Sequence, residues 1–348
     1  MANIDIDAII DEWGVRYTPE GQTARDIKTQ LFAPSETEAF FRNVPTDGDY
    51  YKSAFATVDE VTQAFAIPFV PKGTLSFQPW ETKLGEYKVD QLMTPDKFRN
   101  SWLGFLATIQ EVDRSKWPIL LWYVREMLLP KIAEEQEEEQ SFWGWQKTGF
   151  NATPTVNGTT FVREFGSENA ATPANAAVDG LHTTIARMKA ANRCTINNSG
   201  GWSTDPVDFC TEFEEWVQAI DPKLRRRIDL FFMEEDLKNR YVDGRREKYN
   251  KYYAQESDLL SIDKVTAKIQ PLHSMVGAGD MVWATPAMNR IRPISKDSNG
   301  VFDVQKFDRS VKMLNDWKKV LTFDVPEFVV TNDRGGVINS TLITERYS

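Results

Sequence analysis

The chain has 348 residues, of which 41% are hydrophobic and 26% charged, and its net charge is −10. The length suits two lobes or one elaborated domain. The negative charge argues against sequence-specific reading of nucleic acid, which usually needs a basic face. No stretch approaches the roughly 18 uninterrupted apolar residues that a membrane span requires. Aromatic residues make up 12% of the chain, which indicates large buried or contact surfaces.

The first part of the chain, residues 1–57, is expected to form an N-terminal arm. Residues 1–33 combine glycine, proline and mixed charge with little hydrophobic periodicity. A short helix is predicted after Ser35, because Glu38 three residues later completes a capping box.

Residues 58–93 carry the clearest β pattern of the chain. Phe65 and Phe69 lie on one face before a Pro-Lys-Gly turn, and Phe77 continues the alternation on the return strand toward Trp80. A proline in each strand cannot donate to a ladder, so each strand needs a free edge there. An isolated two-stranded hairpin is marginal in water. This hairpin is therefore expected to project from the body and to lie on another surface.

The segment from Trp117 to Phe150 predicts a long helix that is interrupted at Pro130. Its first half is strongly apolar, and it then carries five glutamates in six positions before it closes on aromatic rings. Unpaired buried carboxylates cost several kcal/mol each, so they cannot all enter a core. We expect these glutamates, Glu134 and Glu138 among them, to form a charged waist that faces solvent or another chain.

Periodicity predicts further helices and short strands along the rest of the chain. The predicted helices run from Pro95 through Ile109, from Leu181 through Met188, from Pro206 through Ile220 and from Phe307 through Trp317. The predicted strands are Ile269–Leu272, Met281–Ala284 and Phe328–Thr331. Strands interspersed among helices indicate an α+β fold.

The residues do not form a recognisable catalytic or metal-binding set, so we expect no catalytic residue, no metal and no cofactor. Two histidines and two cysteines lie far apart, and the sequence contains no phosphate-binding loop and no Ser-centred elbow. The strongest basic cluster is the triplet Arg225, Arg226 and Arg227. In so acidic a protein, carboxylates are its favoured partners, because arginine pairs with them in bidentate geometry. Phosphate contact and simple solvation are the alternatives.

Several stretches, taken in order, resemble the major capsid proteins of tailed bacteriophages, which have the Hong Kong 97 type fold. Val61–Trp102 resembles the family's extended loop, and Leu120–Trp145 resembles its spine helix. Asp179–Met188 and the following helices resemble elements in or near the axial domain. Pro271–Ile294 resembles the late strand pair with its Thr-Pro-x-x-Asn turn, and Asp324–Asp333 resembles the closing strand. Each motif alone is weak, and their order and spacing carry the resemblance.

The resemblance implies an α+β, Hong Kong 97-like capsid fold with four parts. These are an N-terminal arm (1–57), an extended hairpin loop or E-loop (58–93), a peripheral domain with the spine helix (94–195 and 320–348) and an axial domain (196–319). The implied function is self-assembly into hexamers and pentamers that form the icosahedral head around double-stranded DNA. The chain would then be a structural protein rather than an enzyme.

Partners and location also follow from the resemblance. They are other copies of the chain, a separate scaffolding protein, a portal and other head proteins, with DNA enclosed but not read and no membrane. The protein would reside in the virion after assembly in the host cytoplasm. Candidate intersubunit contacts are Phe65, Phe69, Phe77, Trp80, Glu134, Glu138, Arg225, Arg226 and Arg227. Two rival functions stay open: a glycan-acting enzyme that uses a carboxylate pair, and another phage part such as a portal, baseplate or decoration protein.

Overall fold

The computed structural model describes residues 6–16, 22–31, 33–65, 70–114, 116–144, 155–156, 159–160, 177–197, 201–250, 252, 254–296 and 303–332. The strands in these ranges are β1 (Arg42–Thr46), β2 (Tyr50–Val58), β3 (Leu75–Lys83), β4 (Gly85–Met93), β5 (Thr155–Val156), β6 (Thr159–Thr160), β7 (Thr195–Asn197), β8 (Ile228–Met233), β9 (Lys268–Pro271), β10 (Val282–Pro286), β11 (Arg290–Ser295), β12 (Asp303–Phe307), β13 (Ser310–Lys319), β14 (Thr322–Phe323) and β15 (Val330–Asn332). They form one six-stranded sheet, one five-stranded sheet and two hairpins.

The helices lie between and around these sheets. They are α1 (Ile6–Arg16), α2 (Gln22–Leu31), α3 (Pro95–Thr108), α4 (Glu111–Arg114), α5 (Ile119–Tyr123), α6 (Leu129–Glu135), α7 (Leu181–Ala190), α8 (Pro206–Gln218), α9 (Pro222–Arg225), α10 (Glu235–Lys248) and α11 (Glu256–Leu259). Short 3₁₀ turns cover Glu38–Phe40, His273–Met275, Ala287–Asn289 and Pro326–Phe328. The helices predicted to start near residues 95, 181 and 206 are confirmed as α3, α7 and α8. In the described ranges, none of the helices combines the length and the apolar character that a membrane span needs.

Strand β13 forms the centre of the six-stranded sheet. It pairs antiparallel with β4 along its length on one side and with β12 on the other. The predicted helix from Phe307 through Trp317 was therefore wrong. Val311, Leu314 and Trp317 have a spacing of three that fits a helix, but burial alternates along the strand and places Val311, Met313 and Trp317 on the inner face.

The five-stranded sheet has the order β7-β15-β10-β8-β9. The strands predicted near residues 269, 281 and 328 are confirmed as β9, β10 and β15, with shifted ends. Helices α8 and α10 cover this sheet, and Phe213 of α8 packs edge-on against Phe231 of β8 and Tyr241 of α10. Asp205 starts α8 by accepting hydrogen bonds from the backbone N–H groups of Val207 and Asp208.

Aromatic rings join the two large sheets. Trp283 of β10 stacks on Phe232 of β8 with ring centroids 4.2 Å apart, and its edge meets Phe323 of β14 at 5.6 Å. All three rings are fully buried. Because β8 and β10 belong to the five-stranded sheet and β14 to the six-stranded sheet, the two sheets share one apolar cluster.

The N-terminal segment differs from the expectation. Little helical periodicity was expected in residues 1–33, but the structure contains two helices there. Helix α1 buries Ile9 with Trp13, and α2 buries Ile27 with Leu31, each as an i, i+4 pair. These four side chains belong to the same core as the long helix and β13. Charged residues between the apolar pairs conceal the pattern. The role of residues 1–57 as an arm stays a prediction.

The long helix consists of four consecutive segments: α5, a π-type segment Val124–Leu128, α6 and a second π-type segment Gln136–Gln140. The predicted interruption at Pro130 was wrong, since the helix continues through it. The first π-type segment ends two residues before Pro130, and such widened turns commonly accompany a residue that cannot complete the regular hydrogen-bond ladder. Pro130 itself is exposed.

Candidate self-association surfaces

The projecting hairpin is built from β2 and β3. They pair antiparallel from Tyr50 opposite Lys83 to Val58 opposite Leu75. The predicted first strand was therefore misplaced: Phe65 lies in the connection between the strands, and Phe69 lies outside the described residues. The true first strand alternates Tyr, Ser and Phe with Lys and Ala, which is a weaker apolar signal than the phenylalanines of the connection.

The base of this hairpin is fixed to the body by hydrogen bonds to one residue. Tyr51 donates its phenolic O–H to Asp324 Oδ1 at 2.7 Å, and Ser53 Oγ donates to the backbone carbonyl of Asp324 at 2.5 Å. Burial, with a smaller contribution from Asp324, raises the pKa of Tyr51 to about 12. The ring of Phe55 then meets Phe328 edge-on at 5.3 Å. Sequence reasoning missed this attachment, since its partners are far apart in the chain.

Trp80, a predicted intersubunit contact, is half-buried in its own chain. Its ring lies near two guanidinium groups, with Arg187 at 5.4 Å and Arg193 at 5.8 Å from the centroid. Arg193 also donates to the carbonyl of Pro79 at 3.2 Å and forms an ion pair with Glu327. Trp80 therefore contributes to the attachment of the hairpin base, and any role in contacting a neighbour stays a prediction.

The outer end of the hairpin is apolar and exposed. Phe65 is 92% exposed and Phe77 is 64% exposed, and the exposed apolar side chains Val61, Val70 and Leu75 lie near them in the same hairpin. The connection has its own hydrogen bonds, among them Asp59 N–H to the carbonyl of Thr74 and Lys72 Nζ to the carbonyl of Thr62. We call residues 58–65 and 70–77 the hairpin tip. Clustered exposed apolar residues of this kind mark interaction sites.

The glutamates of the long helix do not all face outward. Glu137 is buried, and it accepts hydrogen bonds from the backbone N–H of Thr37 at 3.0 Å and from Thr37 Oγ1 at 2.5 Å. Ser274 Oγ lies 2.6 Å from the same hydroxyl. The expected charged waist was wrong for this residue, because two donors from the distant Thr37 compensate the burial of its carboxylate.

The two glutamates predicted as contacts have basic side chains beside them in the same chain. Glu134 lies 3.2 Å from Lys131 Nζ, and Glu138 lies 3.7 Å from His273 Nε2. Both carboxylates remain about half exposed. A contact of either residue with another copy stays a prediction.

Sequence reasoning also missed a buried ionic cluster around Glu38. Lys319 Nζ donates to Glu38 Oε1 at 2.6 Å and to Gln136 Oε1 at 2.7 Å, and Arg292 Nη1 donates to Glu38 Oε2 at 2.5 Å. The three charged side chains are at most 3% exposed. The signal that could have revealed the cluster is Lys319 at an inward position of the alternating strand β13.

Burial and charge act in opposite directions on these pKa values. Burial alone would raise the pKa of Glu38, but the nearby charges of Lys319 and Arg292 outweigh it and hold that pKa below 4.5. Burial lowers the pKa of Lys319 more than Glu38 raises it. The carboxylate is therefore stabilised in its ionised form.

The arginine triplet lies between α9 and β8. Arg225 is half-buried and donates from Nη1 to the backbone carbonyl of Gln218 at 2.5 Å, whereas Arg226 and Arg227 are exposed. Within the part of the chain that the structure describes, no ion pair joins the triplet to Glu134 or Glu138. A pairing between these two groups stays a prediction.

The described residues hold no group of three His, Cys, Asp or Glu side chains that could bind a metal ion. His182 is buried, with Phe142 and Trp143 at ring-centroid distances of 5.7 and 5.1 Å. Burial raises the pKa of Cys194 to about 11 and that of Cys210 to about 12, so both thiols stay protonated near neutral pH. The chemistry of these side chains is that of packed structural residues.

No protein-family model matches the sequence, and no curated protein matches it. The structure matches a chain of the satellite phage P4 procapsid that includes the size determination (Sid) protein, with a TM-score of 0.53, 11% identity and coverage of 94% of this chain and 95% of that one. Chains of Gordonia phage Cozz and of the capsid of Myoviridae phage XM1 match with TM-scores of 0.48 and 0.46 and identities of 11% and 10%. These matches cover 86% and 84% of this chain and 86% and 88% of those chains. The P4 match spans nearly the whole of both chains, and it confirms the predicted α+β fold of the Hong Kong 97 capsid type.

Proposed function

We propose that this chain is the major capsid protein of a tailed bacteriophage and that its function is self-association into a closed shell around double-stranded DNA. The observation that carries the proposal is a hairpin whose base is bonded to the body and whose apolar tip is exposed. The near full-length likeness to a procapsid chain supports it.

The hairpin tip is suited to contact a neighbouring subunit. Burying apolar surface is worth roughly 25 cal/mol per Å², so exposed rings such as Phe65 and Phe77 favour any arrangement that covers them. The bonded base holds the tip in place before contact, which lowers the entropy lost on association. A stable contact typically buries about 800 Å² per partner, and a shell subunit makes several such contacts.

The proposal includes the division into an arm (1–57), an E-loop (58–93), a peripheral domain (94–195 and 320–348) and an axial domain (196–319). The pairing of β2 with β3 in a sheet of their own supports a separate extended loop. The six-stranded sheet takes its strands from all four proposed parts, so the sheets do not mark the boundary between the peripheral and axial domains. Contacts that join different surfaces of identical copies close into rings. In this proposal those rings are the hexamers and pentamers of an icosahedral head.

The proposed partners are further copies of the chain, a separate scaffolding protein, a portal and other head proteins. The P4 procapsid structure includes a size determination protein, which supports accessory shell proteins as a class of partner. The net charge of −10 suits a container for DNA, because an acidic wall repels the packaged polyanion. The protein would then be found in the virion after assembly in the host cytoplasm, with a structural rather than an enzymatic role.

Electron microscopy tests this function directly. The chain is expressed alone and then together with the genes that neighbour its own, and each preparation is imaged after size separation. Icosahedral particles or capsomer rings are the expected result. A small uniform oligomer under both conditions would contradict the proposal, and binding assays against glycans would then test the enzyme alternative.

A further inference from the structure

Helix α8 presents a row of acids on its outer side. Asp208, Glu212 and Glu215 are spaced i, i+4 and i+7, which places them on one stripe of the helix. Asp208 and Glu215 are exposed and Glu212 is half-buried. The helix contains no lysine or arginine. We call these three residues the α8 acidic stripe.

The segment after α8 has the opposite charge. Lys223, Arg226 and Arg227 are exposed, and together with Arg225 they form what we call the basic loop. The loop is held in place, because Asp221 accepts a hydrogen bond from the backbone N–H of Lys223 at 2.8 Å and Arg225 is bonded to the carbonyl of Gln218. Its charges therefore occupy a fixed position at the C-terminal end of α8.

Within the part of the chain that the structure describes, most charged groups of the two surfaces have no ion-pair partner, and Glu212 accepts a hydrogen bond from the backbone N–H of Ser203. None of the ion pairs among the described residues involves Lys223, Arg226 or Arg227, and none involves Asp208 or Glu215. The helix separates Asp208 from the basic loop by about 15 Å along its axis, which exceeds the screening length of about 8 Å at physiological salt. Glu215 lies within one turn of the C-terminal end of α8 and therefore closer to the loop, but the two form no ion pair among the described residues. Both surfaces therefore keep charged groups that a partner can contact.

We propose that the basic loop of one copy of this chain docks on the α8 acidic stripe of the next copy. This inference rests on the proposed shell function and identifies one of its contacts. A second copy fits better than nucleic acid, because the net charge of −10 repels a polyanion while each copy supplies the complementary stripe in equal number. The stripe also fits better than Glu134 and Glu138, which have Lys131 and His273 beside them in their own chain.

In a ring of subunits this is a heterologous contact. Each pair then leaves one basic loop and one acidic stripe unoccupied, whereas a two-fold pair would join both loops to both stripes. Heterologous contacts continue until they close into a ring or extend as a filament. Charge complementarity of this kind sets register and association rate, which is what a ring of identical subunits requires.

Charge reversal of the full-length chain tests the contact. One variant carries Arg226→Glu with Arg227→Glu, a second carries Asp208→Lys with Glu215→Lys, and a third carries all four changes. Sedimentation velocity and native mass spectrometry at low salt give the concentration at which half of the chain is assembled. We expect the first two variants to raise that concentration about tenfold or more, because like charges then face each other.

Restored assembly is the decisive readout. The variant with all four changes regains complementary surfaces. We expect it to be half assembled at about the same concentration as the wild type. An equimolar mixture of the first two variants is expected to form rings with an even number of subunits, such as hexamers, in which the two chains alternate. The pair Lys28→Glu and Lys97→Glu changes the net charge as much as the first variant does, at exposed lysines elsewhere, and is expected to assemble like the wild type. Circular dichroism confirms that each variant is folded.

Four results would overturn the inference. This contact would be rejected if the reversal variants assembled like the wild type or if the variant with all four changes stayed unassembled. In either case, shells formed by the wild type would still support the proposed function. Normal assembly of the first variant with loss of binding to double-stranded DNA would assign the basic loop to a polyanion. A wild-type chain that forms neither rings nor shells would reject both the function and this contact.

Discussion

Tyr51 and Asp324 are 273 positions apart in the sequence, yet the phenolic hydroxyl of one lies 2.7 Å from a carboxylate oxygen of the other. This bond attaches the first strand of the projecting hairpin to the connection between β14 and β15. A two-stranded hairpin alone is marginal in water. The bond therefore helps to keep the hairpin extended and ordered before any partner is present.

Replacing Tyr51 with Phe is expected to loosen the hairpin base without unfolding the chain. The loss of one partly buried hydrogen bond costs about 1 kcal/mol, and it leaves Asp324 without its donor. Hydrogen exchange of the β2 amides should become faster, and thermal unfolding should shift slightly downward. Tyr50→Phe is the matched control, because Tyr50 is exposed on the same strand. Equal exchange rates in both variants would show that the bond does not hold the hairpin.

Replacing Phe65 and Phe77 with Ser is expected to leave the subunit folded and to prevent shell formation. Both rings are largely exposed, so the folded chain loses little apolar burial, whereas a contact on a neighbour would lose two aromatic anchors. Particle yield by electron microscopy measures the effect, and circular dichroism checks the fold. Leu92→Ser is the control, because Leu92 is a similarly exposed apolar residue on β4. Normal particles from the double variant would remove the hairpin tip as an assembly contact.

Replacing Glu38 with Gln is expected to destabilise the folded subunit strongly. The substitution leaves Lys319 and Arg292 buried without their counter-ion, and breaking a buried pair in this way typically costs about 3–5 kcal/mol. Urea unfolding measures the change. Glu36→Gln, at an exposed position two residues earlier, should stay within about 0.5 kcal/mol of the wild type. A loss from Glu38→Gln as small as that of the control would mean that the cluster is loosely packed or hydrated.

Acid should remove the contribution of Glu38 selectively. Its pKa in the folded chain is held below 4.5, so the ionised carboxylate stabilises the fold fully above that pH, and this contribution is lost as the pH falls through the folded value. The stability difference between the wild type and Glu38→Gln should therefore be constant near neutral pH and shrink below about pH 4.5. Urea unfolding of both proteins from pH 7 to pH 3 checks this, and a difference that does not change with pH would contradict it.

The sequence predicted correctly those helices and strands that are determined by residues close together in the chain. The helix α8 follows from Asp205 as N-cap, Pro206 at the first helical position and an apolar stripe, all within a few residues of one another. Strand β13 was misread because Asn315 and Lys319 occupy inward positions, where polar side chains conceal the alternation. Lys319 is inward because it bonds Glu38, 281 positions away. No window of neighbouring residues contains that partner.

The candidate surfaces also depend partly on nearby residues and partly on residues distant in the chain. The sequence indicated a projecting hairpin, but it placed the first strand on Phe65 and Phe69, because rings are a stronger apolar signal than the Tyr-Ser-Phe alternation of β2. Glu137 was expected outside the core because glutamates in a run usually face water. Its burial depends on Thr37, 100 positions earlier. In both cases the structure depends on contacts with residues that are distant in the sequence.

The attachment of the hairpin has a mechanical consequence. Asp324, Glu327 and Phe328, which hold its base, lie between β14 of the six-stranded sheet and β15 of the five-stranded sheet. The base of the hairpin is thus anchored on the segment that joins the two sheets. In the proposed shell, a load that a neighbour places on the tip would therefore reach the segment that joins the two sheets.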